Sequence, residues 1–169
     1  KKGKIWELQY KLSLLIIYYG KNKIKAYNLI KENFNNLKID NYVEKVQKAI
    51  DKNILEFEKG KEKIYDGYFF EIKNKFGSKE KRHGIKQIGI NQLSFNEPNK
   101  TFIIILKSGE YYKISARRQD KKYDMAKLMQ DLTKGYGVSA GGHAAAAGAV
   151  IYAKDLNKFK ENLMKIKRK

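Results

Sequence analysis

The sequence predicts an α/β protein: a mixed sheet with flanking helices over residues 61–169, preceded by an N-terminal helical linker or docking arm over residues 1–60. Three observations carry this reading. Apolar residues recur at helical spacing through successive segments before Gly60. From Tyr68 onward, aromatic and β-branched runs of strand type are interleaved with amphipathic stretches. The chain has 169 residues and 42% hydrophobic content, enough for one proper core and a smaller appended module.

In chain order, Ile5, Leu8, Leu12 and Leu15 fall at helical spacing, and Gly20 stands as a C-cap. Trp6, Tyr10, Leu14 and Ile17 make the same helix apolar nearly all round, so it needs burial on more than one side. A second helix over about Lys23 to Asn33 places Ile24, Tyr27 and Ile30 on one face. A third starts at Asn41, with Glu44 completing a capping-box pattern, and runs through Val43, Val46, Ile50 and Ile54.

The pattern changes near Gly60 to Gly67. Tyr68-Phe69-Phe70-Glu71-Ile72 reads as a strand, and Gly77 to Gly84 as a charged loop. Ile85, Ile88 and Leu93 predict a short helix ended by the turn Asn96-Glu97-Pro98-Asn99. Thr101 to Leu106 lacks alternation and reads as a buried strand. Ser108-Gly109 turns the chain into a strand over Glu110 to Gln119 that does alternate, with Tyr112, Ile114 and Ala116 on a packed face and Tyr111, Lys113, Ser115 and Arg117 on a polar one. Met125, Leu128, Met129 and Leu132 mark an amphipathic helix over about Asp124 to Thr133, the methionines serving as core filler. Val150-Ile151-Tyr152 is a short strand, and Leu156 to Ile166 a final helix.

Between these last elements lies Gly141-Gly142-His143-Ala144-Ala145-Ala146-Ala147-Gly148. Nothing in it can fill a core. A glycine pair lets a backbone or ligand approach closely, and consecutive N–H groups leading into a helix make an anion site. The alanines read as that helix, with His143 at its start in a charge state that neighbours can tune near neutral pH. Any one of these features alone also reads as a small-residue packing contact beside a surface histidine.

Formal charge is +19, which suggests a polyanionic partner, because clustered cations gain affinity by releasing counterions from a phosphate backbone. Heavy use of lysine, isoleucine, asparagine and tyrosine could equally come from genomic base composition. Arginine is the cleaner signal: only four of the 37 basic residues are arginine, and two stand together at Arg117-Arg118. The longest apolar run, within Leu12 to Tyr19, is far short of a membrane span, and no signal-peptide pattern is present. The absence of cysteine excludes disulfides and thiolate metal sites and fits a cytoplasmic protein. Lys1 is not a native start, so the sequence reads as a piece of something longer.

Ile114-Ser115-Ala116-Arg117 on a strand, a following helix, then Gly141-Gly142-His143 with Ala146-Ala147-Gly148 and a terminal amphipathic helix resemble the C-terminal, DHH-associated domain of the DHH phosphoesterase superfamily. The likeness covers roughly Tyr68 to Lys169, and its Gly-Gly-His form is similar to RecJ-type single-strand exonucleases and nanoRNase-type hydrolases of short oligonucleotides. It implies that Gly141, Gly142 and His143 offer N–H groups and an imidazole to a phosphate, and that Ser115 and Arg117 bind the same phosphate or its neighbour. Lys113, Arg118 and Arg82 are further candidate nucleic-acid contacts, although strand alternation turns Arg118 to the packed face, where its stem could simply cover the core.

In such enzymes two divalent metals, manganese or magnesium, sit in an N-terminal Asp-His-His domain. No Asp-His-His occurs here, there are two histidines, and Asp120, Asp124 and Asp131 are not spaced as a metal cage. The expectation is a chain without catalytic or metal-binding residues that binds single-stranded DNA, RNA or oligonucleotides and leaves cleavage to a DHH domain of the parent chain. Two other readings stand beside it: a non-catalytic nucleic-acid-binding or regulatory subunit that docks a replication or repair protein through its helices, and a tRNA-binding relative from an alanyl-tRNA synthetase.

Overall fold

A computed structural model describes residues 3–20, 22–33, 40–64, 66–73 and 79–166. The first helix, α1 (Lys4–Tyr19), closes where Gly20, at φ 60°, donates its N–H to Ile16 O. Helices α2 (Lys23–Asn33) and α3 (Asp40–Gly60) follow. Asn41 lies inside the first turn of α3, and Glu44 does not box a cap; it pairs with Lys48, 2.6 Å away and one turn on. The burial demanded by α1 is met only in part: Leu14 packs with Val46, Ile50 and Ile85 of α3 and of α4 (Lys79–Asn96), while Ile5, Trp6 and Ile16 stay exposed.

Six strands form one sheet in the order β1-β2-β3-β4-β6-β5. They are β1 (Glu62–Ile64), β2 (Gly67–Ile72), β3 (Thr101–Ser108), β4 (Tyr111–Arg117), β5 (Gly137–His143) and β6 (Ala146–Tyr152). The β2 and β3 pair runs parallel, and α4 is the crossover between them. On one face, Phe69, Ile103, Ile114 and Ala149 pack beneath α5 (Met125–Thr133) and α6 (Leu156–Met164) through Met129 and Phe159. On the other, Phe57 of α3 and Ile90 and Leu93 of α4 cover Phe70, Phe102 and Ile104. Because both faces are covered, Thr101 to Leu106 is buried throughout, as its lack of alternation predicts.

The structure adds to or departs from the sequence reading at four places. The charged segment at Gly77 to Gly84 is not a loop from Lys79 on, since Lys79 already begins an 18-residue α4; Lys79, Glu80, Lys81 and Arg82 are good helix formers, and Gly84 marks a close crossing. A Cβ there would come within 2.6 Å of Ile17 Cγ1 of α1. Gly77 and Ser78 lie outside the described residues. The short, charged β1 is an edge strand that its composition did not announce.

The polar face of β4 is not open, because α4 lies over it and Ser115 is only 3% exposed. Finally, the alanines do not start a helix. Ala144 and Ala145 turn the chain from β5 into β6, and Ala147 and Ala149 are buried under α5. Tertiary pairing overrides alanine's helix preference: each residue from Ala146 to Tyr152 pairs with β4, and the turn is anchored by Arg118 N–H and Met125 N–H donating to Ala145 O and Ala144 O, both at 3.0 Å.

Candidate nucleic-acid interface

The hairpin brings the two sequence motifs onto one face. In the register of the three strands, Ser115 lies opposite Gly148, which lies opposite Gly141; one step along, Arg117, Ala146 and His143 form the next same-face row. Two glycines in one row leave a trough where side chains would stand. A Cβ added at Gly141 would meet nothing within 4 Å, so the space above it is open. Gly142 is glycine for another reason: at φ 142° its Cβ would sit 2.5 Å from Ala146 O. The trough is the floor of a cleft of about 390 Å³ whose walls include Lys86 and Gln87 of α4 and Lys113 and Arg117 of β4.

Arg117 is held from α4. Its Nε donates to Asn91 Oδ1 at 2.9 Å and its Nη2 to Gln87 Oε1 at 2.7 Å, while Nη1 donates to Ala116 O at 2.8 Å. All these acceptors are neutral. Burial therefore lowers the pKa of the guanidinium with no carboxylate to offset it. The edge expected to grip phosphate is largely occupied by the two amides, and among the described residues the second Nη2 hydrogen has no acceptor. Gln87 also joins the two motif residues, since its Nε2 donates to Ser115 Oγ at 3.1 Å. Ser115 Oγ thus acts as an acceptor, and its own hydrogen has no protein acceptor among the described residues.

Lys86 is the site residue that the sequence did not flag. It is 2% exposed, lines the cleft, and donates from Nζ to Lys113 O at 3.3 Å. Burial, reinforced by Lys113 and Arg117, lowers its pKa to about 8. Its position in α4 carries no motif, and only the packing of α4 onto β4 shows that it is buried. Three cations thus line the cleft, and among the described residues no carboxylate does.

The remaining predicted residues are placed apart. His143 is exposed at the end of the edge strand β5 rather than at a helix start, so the Gly-Gly-His segment offers backbone on a sheet edge and not a helix terminus. Arg118 points to the opposite side. It is 2% exposed and donates to Asp66 Oδ2 and Asp120 Oδ1, each at 2.7 Å, and to Thr101 Oγ1 at 3.2 Å. Arg82 stands in the first turns of α4, and its side chain lies outside the described residues. Among the described residues no three His, Asp or Glu side chains converge as metal ligands, so they do not fit a pair of divalent ions. No helix among them is long and apolar enough to cross a membrane.

The fold agrees with what the chain is similar to. The family model of the DHHA1 domain matches residues 75–169, which include both motifs and more than half of the chain. No curated protein matches the sequence. Among solved structures, the pGpG-specific phosphodiesterase PggH from Vibrio cholerae is 14% identical, with a TM-score of 0.54 over 80% of this chain and 44% of that one. The DHH domain of a protein described as a member of a ribosomal-protein family is 16% identical, with a TM-score of 0.57 over 94% of this chain and 42% of that one. CDC45 from Entamoeba histolytica is 13% identical, with a TM-score of 0.53 over 73% of this chain and 28% of that one. This chain therefore spans less than half the length of each. At such identity the likeness is one of fold, whereas the family match rests on sequence and covers Ser115, Arg117 and Gly141-Gly142-His143. The chain belongs to the DHHA1 domain family.

Proposed function

We propose that this chain is the phosphate-binding, nucleic-acid-holding domain of a DHH-family phosphoesterase, acting on single-stranded nucleic acid or short oligonucleotides. The observation that carries the reading is the cleft over Gly141 and Gly148, which is lined by Lys86, Lys113 and Arg117 and, among the described residues, by no acid. Such a site attracts an anion before any specific contact is made, and the bare floor lets a phosphate approach the sheet backbone.

In the proposed complex the phosphate lies over the glycine trough. Ser115 donates its unused hydroxyl hydrogen, Arg117 its remaining Nη2–H, and Lys113 a mobile ammonium. Gln87 is the adaptable member: its Oε1 now accepts from Arg117 while its Nε2 donates to Ser115 Oγ, and a phosphate oxygen can take the place of Oε1 as the acceptor for Arg117. Gly142 and His143, at the outer rim, contact the sugar-phosphate on the solvent side. The role is to bind and orient; hydrolysis belongs to two divalent ions in an Asp-His-His domain of the parent chain, and no step of it falls to the residues described. A RecJ-type or nanoRNase-type activity in the cytoplasm, linked to DNA repair, belongs to the same proposal.

Fluorescence polarisation with a labelled, 5′-phosphorylated single-stranded oligonucleotide tests it. Saturable binding at low salt that weakens in Arg117→Ala supports the reading. No binding at low salt, or equal binding by Arg117→Ala, removes it.

A further inference from the structure

Lys86 is an expensive residue to place where it is. It comes from the middle of α4, is 2% exposed, and among the described residues forms one long hydrogen bond, to Lys113 O at 3.3 Å. An ammonium has three donors, and among the described residues this one has no carboxylate within ion-pair distance. The charged groups facing it are Lys113 and Arg117 of β4, both of its own sign. The other described elements around it offer no charge: α3 and the sheet present Asn53, Phe57, Ile72 and Ile104, and β6 presents Gly148 and Val150. A lysine needed only for packing could be methionine or leucine without the desolvation penalty. Lys86 lines the cleft itself, so an anion entering there is the counter-ion within its reach.

We infer that Lys86 is a further anion-binding residue of this cleft, its ammonium completed by a bound phosphate, and that phosphate binding above neutral pH draws a proton onto it from solution. The inference rests on the phosphate-site reading above and adds a residue and a proton linkage to it. Burial, together with charge repulsion from Lys113 and Arg117, holds the free ammonium near half-deprotonation at a pH of about 8. A phosphate beside it reverses the balance and restores the protonated form. At about pH 8.5 binding then takes up roughly 0.7 proton, by linkage from a group that is mostly neutral when free to one that is charged when bound.

Isothermal titration of the full chain with a 5′-phosphorylated oligothymidylate at that pH, in buffers of differing ionisation enthalpy, reads the proton uptake directly. Lys86→Met and Lys86→Gln are titrated alongside, with Arg117→Lys as the control for the site and thermal melting as the control for folding. The expected result is uptake in the wild type and in Arg117→Lys, and its loss in both Lys86 variants. Their affinity should be weaker by about tenfold or more, the size of a charge-assisted hydrogen bond. If folded Lys86 variants bind as tightly as wild type while Arg117→Lys is impaired, the phosphate site stands and the assignment of Lys86 is wrong. Wild-type binding without proton uptake also overturns the linkage. If the wild type does not bind, the site reading fails and the assignment falls with it.

Discussion

Arg117 and Arg118 are chain neighbours on one strand end, yet the first donates through Nη2 to Gln87 Oε1 at 2.7 Å on the cleft side and the second through Nη1 to Asp66 Oδ2 at 2.7 Å on the opposite side. The alternation of β4 separates them, and their partners define their roles. Among the described residues Arg117 meets only neutral acceptors, and it keeps its charge available. Arg118 spends its charge internally: Asp66 and Asp120 flank it, and Tyr123 covers its guanidinium, with the ring centroid 4.6 Å from Cζ. It ties the end of β4 to the segments before β2 and α5.

Lysine substitution should therefore divide binding from stability. Arg117→Lys is expected to lose roughly 1–3 kcal/mol of affinity for a phosphorylated oligonucleotide, because lysine retains charge but cannot hold the Gln87 and Asn91 amides while facing a phosphate. Arg118→Lys is expected to lose little affinity and about 1–3 kcal/mol of folding stability, since a single ammonium cannot span both aspartates. Parallel titration and urea denaturation of the two variants check this; equal affinity losses would mean that both arginines reach the ligand.

A pair of neighbouring glycines gives a second separation. Gly142→Ala should destabilise the hairpin by about 1–3 kcal/mol, because the backbone conformation is unfavourable for alanine and the added Cβ would sit 2.5 Å from Ala146 O. At Gly141 the same methyl meets nothing, so Gly141→Ala should melt near the wild type. It should nevertheless bind phosphorylated oligonucleotide more weakly, because it fills the trough. Normal binding by Gly141→Ala would place the ligand elsewhere.

Much of the fold was legible because its elements obey local rules. The helical spacing of Leu12 and Leu15, the C-cap at Gly20 and the unbroken apolar run from Phe102 to Leu106 each point to a state that packing then confirms. The alternation of β4 is by itself enough to put Ser115 and Arg117 on one face. What escaped was non-local. Ala146 and Ala147 favour helix by themselves and become strand only because β4 pairs with them, and nothing near Lys86 in sequence reveals that the face it occupies is covered. Gln87 and Asn91, the two amides that hold Arg117, are ordinary helix-surface residues until the crossover helix is laid over β4.

Binding of single-stranded nucleic acid should be weak and should fall steeply with salt, since Lys113 and the other surface lysines act through counterion release. The slope of log affinity against log salt concentration measures how many phosphates are neutralised. A flat slope would assign the +19 charge to composition rather than to an interface.

With manganese or magnesium added, the chain is expected to release no product from a labelled single-stranded oligonucleotide beyond the buffer control. Among the described residues no acidic or histidine cluster can hold the ions. Metal-dependent turnover that co-purifies with the chain and disappears in His143→Ala would overturn this, and would place catalysis at the rim of β5.

The burial of Lys86 also predicts a pH dependence of stability whose sign is opposite to that of a lysine held in an ordinary salt bridge. Its pKa falls from 10.5 to about 8 on folding. Below about pH 8 the ammonium is protonated in both states and the folded state carries the full desolvation penalty. Between that pH and 10.5 the unfolded chain retains the proton that the folded chain has released, so stability rises with pH; above the window the penalty is gone. The shift corresponds to a penalty on the order of 3 kcal/mol. Lys86→Met should thus be more stable than wild type at pH 7, by about 1–3 kcal/mol after loss of the bond to Lys113 O, and the difference should shrink as pH approaches 10. Tyr10 and Tyr112, whose pKa values burial raises above the ordinary 10.0, add pH dependence of their own in alkali. The quantity to follow is therefore the difference between variant and wild type, in which those contributions cancel. A variant more stable at neutral pH and poorer at holding phosphate is the pattern of a residue kept for binding at the expense of the fold. A Lys86→Met chain that is less stable than wild type at pH 7 would instead make Lys86 a structural residue.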